Sequence, residues 1–370
     1  MVDWSFLLQR NAADIQTPAL IIDLEAFERN VAKMAGHCRD HGISLRAHAK
    51  THKCAEIARR QVAAGAIGQC CASLDEAEML VGAGIGSVLI TSPLVTEAAI
   101  HRLLKLNAVA PGLMAVADNP QAVARLAQAA VSVGQTLKLL VDIDIGHHRT
   151  GIAPGAAACA LAAAIAQSPN LEFVGIQGYA GHLMHLADRA ERQERSPAAL
   201  EQLRLTRDQL RGMGLSPRIV TGGGTGSFDI DPAENVLTEL QAGSYVFMDR
   251  QYNDVWTGEG VPFETSLFVL TRVVSANHPG MATTDAGLKA FSTDADAPVI
   301  SFGPGESYGF FGDEYGRLTL AENVTAQAGD AVACVVPHCD PTVNLYGHYL
   351  VVRGGELVDR WPITSGKYRT

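Results

Sequence analysis

The chemistry in this sequence collects in a few short segments. In His48-Ala49-Lys50-Thr51-His52-Lys53 a lysine stands among other basic side chains. Cationic neighbours and removal from water both favour the neutral form of an amine, and a neutral amine attacks carbonyl carbons to give Schiff bases. The same letters also describe a surface lysine in a basic loop. In Gly222-Gly223-Gly224-Thr225-Gly226-Ser227 the glycines let backbone N–H groups approach an anion, with the Thr225 and Ser227 hydroxyls as further donors. No lysine follows in P-loop spacing, and the pattern is not GxGxxG. A phosphate-binding turn and a plain flexible loop both fit.

Arg149 lies in Asp142-Ile143-Asp144-Ile145-Gly146-His147-His148-Arg149-Thr150-Gly151. Its guanidinium can hold a phenolate or carboxylate in fixed geometry; an ion pair with Asp142 or Asp144 is the alternative. In Pro337-His338-Cys339-Asp340-Pro341-Thr342 an extended backbone would point His338 and Asp340 to one side and Cys339 to the other. An imidazole nitrogen with a carboxylate oxygen suits Mn²⁺, Mg²⁺ or Zn²⁺, with water or substrate completing the shell. A His–Asp pair hydrogen-bonded within a loop is the plainer reading.

The elements that must position these groups alternate. Strands are expected at Ala19–Asp23, Ser44–Ala47, Ala66–Cys71, Ser87–Thr91, Gly112–Ala117, Leu137–Ile143, Glu172–Gly178, Arg218–Thr221 and Ser244–Met248. They are mostly continuous apolar runs, as in parallel strands covered on both faces. Helices fall between them. Asn119-Pro120 supplies an N-cap and an N1 proline, Ser73-Leu74-Asp75-Glu76 a capping box, and Thr96 a cap before the Ile100, Leu103, Leu104 stripe. Leu24, Phe27, Val31 and Met34 form another apolar stripe, and the Ala-rich run Gly155–Ala166 reads as a helix.

Such alternation means a parallel sheet, open or closed. If Ala19–Asp23 belongs elsewhere, the strands from Ser44 to Met248 number the eight of a TIM-type (β/α)8 barrel. Reactive groups then gather at the strands' C-terminal ends: Lys50, Arg149, then Tyr179, His182 and His185, then the glycine run. From about Pro262 the texture changes to β runs, Leu267–Val274, Val299–Phe302, Ala331–Val336 and Tyr349–Val352, with a hairpin turn at Arg353-Gly354-Gly355-Glu356. The expected domains are a barrel over residues 24–260 and a mostly-β C-terminal domain from 261–370 joined by 1–23.

Composition narrows the function classes. The 370 residues carry a net charge of −10, which disfavours a nucleic-acid partner. No apolar run approaches a membrane span, and Met1-Val2-Asp3-Trp4 does not begin a secretory leader. Seven scattered cysteines show no disulfide framework. A cytoplasmic protein with no membrane partner is the expectation.

Together these pieces resemble the fold-type III, alanine-racemase-like pyridoxal-phosphate enzymes. The order His48-Ala49-Lys50-Thr51-His52-Lys53, Thr221–Ser227, His338-Cys339-Asp340-Pro341-Thr342-Val343-Asn344 resembles more narrowly their D-threonine aldolase and D-serine dehydratase branch. The resemblance spans nearly the whole chain. It implies that Lys50 forms the internal aldimine with pyridoxal 5'-phosphate, that Arg149 approaches the cofactor's 3-oxygen and that Tyr179 lies beside its ring. It further implies phosphate binding by Gly223, Gly224 and Thr225, a divalent metal on His338 and Asp340, and His185 near the substrate's β-hydroxyl. Members are typically homodimers acting on small D-amino acids, and the first strand joins the β domain in that fold.

The dehydratases of this family resemble one another in a zinc-preferring His-x-Cys pair, whereas Asp340 is a harder ligand that favours Mn²⁺ or Mg²⁺, with Zn²⁺ also accommodated. The implied activity is therefore metal-dependent retro-aldol cleavage of D-β-hydroxy-α-amino acids, D-threonine giving glycine and acetaldehyde. D-serine or D-3-hydroxyaspartate dehydration and 3-hydroxy-D-aspartate cleavage are the alternatives, and Cys339 would recover the dehydratase if its sulfur reached the metal. A racemase would need a second base, with Tyr308, Tyr315 or Tyr346 as candidates, and has no use for the metal pair. A non-catalytic pyridoxal-phosphate carrier would lack the β domain, and a barrel metallohydrolase would leave Lys50 and the glycine run unexplained.

Overall fold

A computed structural model describes residues 4–5, 15–256 and 260–364. The chain runs β1 (Ala19–Asp23), α1 (Leu24–Asp40), β2 (Ser44–His48), α2 (Ala55–Ala63), β3 (Gly68–Cys71), α3 (Leu74–Gly82), β4 (Val88–Ile90), α4 (Glu97–Asn107) and β5 (Leu113–Ala117). It continues with α5 (Pro120–Val133), β6 (Leu137–Ile143), α6 (Ala156–Gln167), β7 (Leu171–Gly178), α7 (Arg189–Gly212), β8 (Ile219–Gly222), β9 (Glu239–Leu240) and α8 (Arg250–Val255). Then come β10 (Leu267–His278), β11 (Met281–Thr284), β12 (Val299–Phe302), β13 (Ser307–Phe310), β14 (Gly316–Thr319), β15 (Ala331–Val335), α9 (Cys339–Val343), β16 (His348–Arg353) and β17 (Glu356–Pro362).

The residues form two compact units. The first, residues 34–50 and 55–243, holds β2 to β9 as a closed parallel barrel with its helices. This is the expected TIM-type architecture. Cys70, Leu89, Met114, Val116, Leu140 and Val174 fill part of its core, and a large apolar side chain buried in this way contributes ~1.5–3 kcal/mol. The helix starts follow their capping residues. Asn119 Oδ1 accepts from Ala122 N at 2.8 Å, and Thr96 Oγ1 from Ala99 N at 3.2 Å. Ser73 Oγ accepts from Glu76 N, while Glu76 reaches one residue further back than a capping box does, to Ala72 N.

One strand was expected in the wrong place. Ser244–Met248 is not a strand: Ser244–Val246 is a 3₁₀ turn, and the barrel's eighth strand is the two-residue β9. Glu239 hides it from any search for apolar runs. Its carboxylate is buried, and Arg46 of β2 meets it with Nε and Nη2 at 2.7 and 2.9 Å, closing the barrel between neighbouring strands. Tyr245, Val246, Phe247 and Met248 are apolar because each is fully buried outside the barrel unit, not because they extend.

The second unit takes the described residues before 34, the stretch 51–54 and those from 244 on. Its sheet runs β13-β14-β11-β10-β1-β16-β17, with β15 joining β10 to β12. β1 therefore lies between β10, antiparallel, and β16, parallel. Trp4, Ile21, Phe268, Leu270 and Val352 pack together there. β16 and β17 form the expected hairpin, Arg353 opposite Glu356, with Gly354 and Gly355 at φ 53° and 73°, the paired positive angles that a two-residue turn of this kind requires. All seven cysteines are free and buried. Among the described residues no helix is long and apolar enough to cross a membrane.

Candidate active site

Strand register links the C-terminal ends of the barrel strands. Ile143 pairs with Gly178, Gly178 with Gly222, and Gly222 with Leu240. Asp144, Tyr179, Gly223 and Gln241 therefore each follow a register partner at the C-terminal end of one of four adjacent strands. A polar chain, buried except at Thr150, links these strands: Thr150 Oγ1 and Gln177 Nε2 donate to the two oxygens of Asp142, and Gln241 Nε2 donates to Gln177 Oε1 and Thr221 Oγ1. Burial pushes the Asp142 carboxyl up, and these donors oppose the shift.

Lys50 sits half-buried in the 3₁₀ turn Ala49–Thr51 directly after β2. Both neighbouring histidines accept a backbone hydrogen bond at Nδ1. His48 is buried, with Nε2 3.2 Å from Thr91 Oγ1 and Nδ1 facing Lys50 N at 3.4 Å, and Thr91 Oγ1 in turn donates to Cys71 O. That order of donors leaves Nδ1 as the acceptor and the proton on Nε2. His52 likewise turns Nδ1 to Cys54 N at 3.1 Å, and Lys53 Nζ donates to Asn344 Oδ1. The residues after Lys50 belong to the second unit, where Tyr349 Oη donates to His52 O at 2.6 Å and Thr364 N to Lys53 O at 2.8 Å.

The guanidinium of Arg149 lies 5.5 Å over the Tyr179 ring. Neither aspartate takes it as an ion pair. Asp142 is occupied as described, and Asp144 accepts from Gly146 N, His148 N and His148 Nδ1, which hold its carboxyl below the usual range against its partial burial. Tyr179 also meets His147 edge-on at 6.0 Å, and His147 stacks on His182 at 5.8 Å. Burial lowers both imidazoles' proton affinity, helped by the charge of Arg149 at His147 and of Arg195 at His182.

The glycine run is a buried, tightly packed turn rather than a flexible loop. Gly223 adopts φ 70°, and a Cβ on Gly226 would stand 2.2 Å from Met184 O. That contact seats the segment after β7 against the turn. His185, half-buried, is the next residue along. Ser227 does not serve as the anion donor the sequence suggested. Its hydroxyl donates to Asp231 Oδ2 at 2.5 Å, and Ser196 of α7 donates to Oδ1 at 2.6 Å. Thr225 remains in the turn, buried. Asp231 gave no sign in the sequence beyond an Asp-Pro step that opens its own 3₁₀ turn.

His338 and Asp340 lie in the second unit; His338 is extended as expected, but the backbone turns helical straight after it. His338 is the N-cap of α9, so helix begins at Cys339 and Asp340 stands in the first turn. Pro341 is tolerated there because first-turn N–H groups have no helical partner. Cys339 is fully buried, its Sγ 3.6 Å from Asp340 Oδ1, and burial raises its thiol well above the ordinary range. A buried neutral thiol is a poor metal ligand.

Three residues brace the segment. Asp249 caps α8 through Tyr252 N at 2.9 Å and α9 through Cys339 N at 2.7 Å. Ser292 Oγ accepts from His338 N at 3.0 Å, and Ser292 N donates to Thr342 Oγ1 at 3.0 Å. Asp294 Oδ2 lies 2.7 Å from His338 Nδ1. None was visible in the sequence. Among the described residues no group of three or more His, Cys, Asp or Glu could hold a metal.

The donor set fits both groups that the resemblance implies. An amine, a glycine turn for a phosphate and a guanidinium over a phenol line one barrel rim, and the His–Asp pair offers nitrogen and oxygen donors to a divalent ion.

Comparison with known proteins finds matches along most of the chain. The alanine racemase N-terminal domain family matches residues 22–251, and the serine dehydratase domain matches residues 266–352. A 3-hydroxy-D-aspartate aldolase of Paracoccus denitrificans (strain Pd 1222) is 37% identical over 95% of this chain and 92% of its own. A D-threonine aldolase of an Arthrobacter species is 39% identical over 95% and 93%. The crystal structure of D-threonine aldolase from Filomicrobium marinum is 40% identical and superposes with a TM-score of 0.92, covering 95% of this chain and 96% of that one.

Proposed function

The chain belongs to the alanine racemase N-terminal domain family, in the branch that adds a serine dehydratase domain, and from that membership we propose that it is a lyase cleaving the Cα–Cβ bond of D-β-hydroxy-α-amino acids. D-threonine would give glycine and acetaldehyde. The observation that carries the reading is the barrel's rim, where Tyr179 and Gly223 follow paired ends of adjacent strands and Lys50 follows β2 of the same barrel.

Lys50 is the amine that holds the aldehyde of pyridoxal phosphate. Gly223, Gly224 and Thr225 would hold its phosphate, Arg149 its ring oxygen, and Tyr179 would lie beside the ring. His338 and Asp340 hold a divalent ion, with Mn²⁺ or Mg²⁺ favoured by the carboxylate ligand. When bound, pyridoxal phosphate supplies the electron sink for a bond broken at Cα, and the ion a Lewis acid for the β-hydroxyl. His185 takes the proton from that hydroxyl. A homodimer is the expected assembly, checked by light scattering of the purified protein.

Burial of the Cys339 thiol supports cleavage over dehydration, because the soft ligand of a His-x-Cys pair is out of play. The Paracoccus relative's name keeps 3-hydroxy-D-aspartate beside threonine as a substrate of the same bond cleavage.

The test is product analysis with added pyridoxal phosphate and Mn²⁺. Acetaldehyde from D-threonine, or glyoxylate from 3-hydroxy-D-aspartate, with glycine in either case, supports the reading. Pyruvate from D-serine or oxaloacetate from 3-hydroxy-D-aspartate would replace it with a dehydratase. Lys50→Ala should lose both activity and the cofactor's visible absorbance band.

A further inference from the structure

The imidazole of His338 is oriented by a residue 44 positions away. Nδ1 stands 2.7 Å from Asp294 Oδ2. An ionised carboxylate only accepts, so Nδ1 carries a ring proton and, in the neutral ring, the lone pair is on Nε2. The backbone of His338 is fixed independently. Ser292 Oγ accepts its N–H at 3.0 Å, and Thr342 Oγ1 donates to its carbonyl at 2.8 Å. Asp294 therefore acts on the ring alone. Its side chain is about 50% exposed, so its loss leaves no buried charge behind and little folding stability depends on it.

We propose that Asp294 is a positioning residue of the metal centre, fixing His338 as the Nδ1–H tautomer so that Nε2 is the ligand atom. The inference rests on the reading that His338 and Asp340 hold a divalent ion. Carboxylates that receive the far N–H of a ligating histidine raise its basicity and lock its direction, and their loss costs roughly 10- to 100-fold in metal affinity. Asp294 touches no reacting atom and acts only through His338.

Manganese titration followed by electron paramagnetic resonance of the free ion, on the cofactor-loaded enzyme, separates the inference from the reading beneath it. The wild type should bind Mn²⁺ and His338→Ala should not. Asp294→Ala should bind roughly 10- to 100-fold more weakly, and Asp294→Asn, which keeps an acceptor oxygen, should fall between. Proton–nitrogen correlation spectra of the metal-free enzyme should show the Nδ1–H form of His338 in the wild type and its loss in Asp294→Ala. Unchanged Mn²⁺ affinity in Asp294→Ala, with His338→Ala inert, overturns the role of Asp294 and leaves the metal pair standing. Equal binding by His338→Ala and wild type removes the metal pair and this inference with it.

Discussion

The Ser227 hydroxyl donates to Asp231 at 2.5 Å, and so bolts the glycine turn to a carboxylate that is almost wholly buried. The turn that should receive a dianion thus rests on another potential anion. Burial pushes the Asp231 carboxyl up to about 6, only partly offset by the Ser196 and Ser227 hydroxyls.

That shift has a definite sign. The folded state holds the Asp231 proton more tightly than the unfolded chain does, so stabilisation is full below about 4 and is lost as pH rises through about 6. The lost amount is ~3 kcal/mol for this one group. Urea unfolding of the wild type and Asp231→Asn between pH 4.5 and 7.5 should show the wild type losing stability relative to the variant across that window. A constant difference would show that Asp231 titrates normally.

Arg46 and Glu239 form a bidentate pair whose side chains are 4% and 3% exposed. Removing one partner strands a buried charge and should cost ~3–5 kcal/mol. Arg46→Met and Glu239→Leu singly should each lower the denaturation midpoint sharply, and the double substitution should recover much of the loss. If the double variant is as unstable as the sum of the singles, the pair is not acting as a unit.

Gly226→Ala would force a Cβ against Met184 O. The overpacking costs ~1–3 kcal/mol, which should weaken pyridoxal phosphate binding by roughly ten- to a hundredfold if the turn opens to relieve it. Absorbance titration of the apoenzyme measures this directly. Undiminished affinity would show that the turn's shape does not govern cofactor retention.

Chelation should abolish release of acetaldehyde from D-threonine and Mn²⁺ should restore it, while the visible absorbance of the cofactor persists throughout. Activity that survives the chelator would take His338 and Asp340 out of the reaction.

Much of the barrel was legible because parallel strands buried on both faces must be apolar. β6 falls at Leu137–Ile143 as read, and β7 extends its reading by only one residue. β9 escaped because a charged residue in a two-residue strand has no pattern of its own; only Arg46, far off in sequence, makes Glu239 tolerable there. The His338 segment misled through its letters alone, since His-Cys-Asp suits a strand until Pro341 is weighed as a first-turn residue. Ser227 looked like an anion donor because its partner, Asp231, could not be seen to take its proton. Asp249, Ser292 and Asp294 left no trace, because bracing residues are chosen by distance in space and carry no spacing rule.

The close approach of Gly226 to the Met184 carbonyl limits how this enzyme can change its diet. The segment bearing His182 and His185 cannot be lengthened or rebuilt without disturbing the glycine turn next door. New substrate preferences are therefore expected to arise by variation in the loops after other strands, where they touch neither the glycine turn nor the segment after β7.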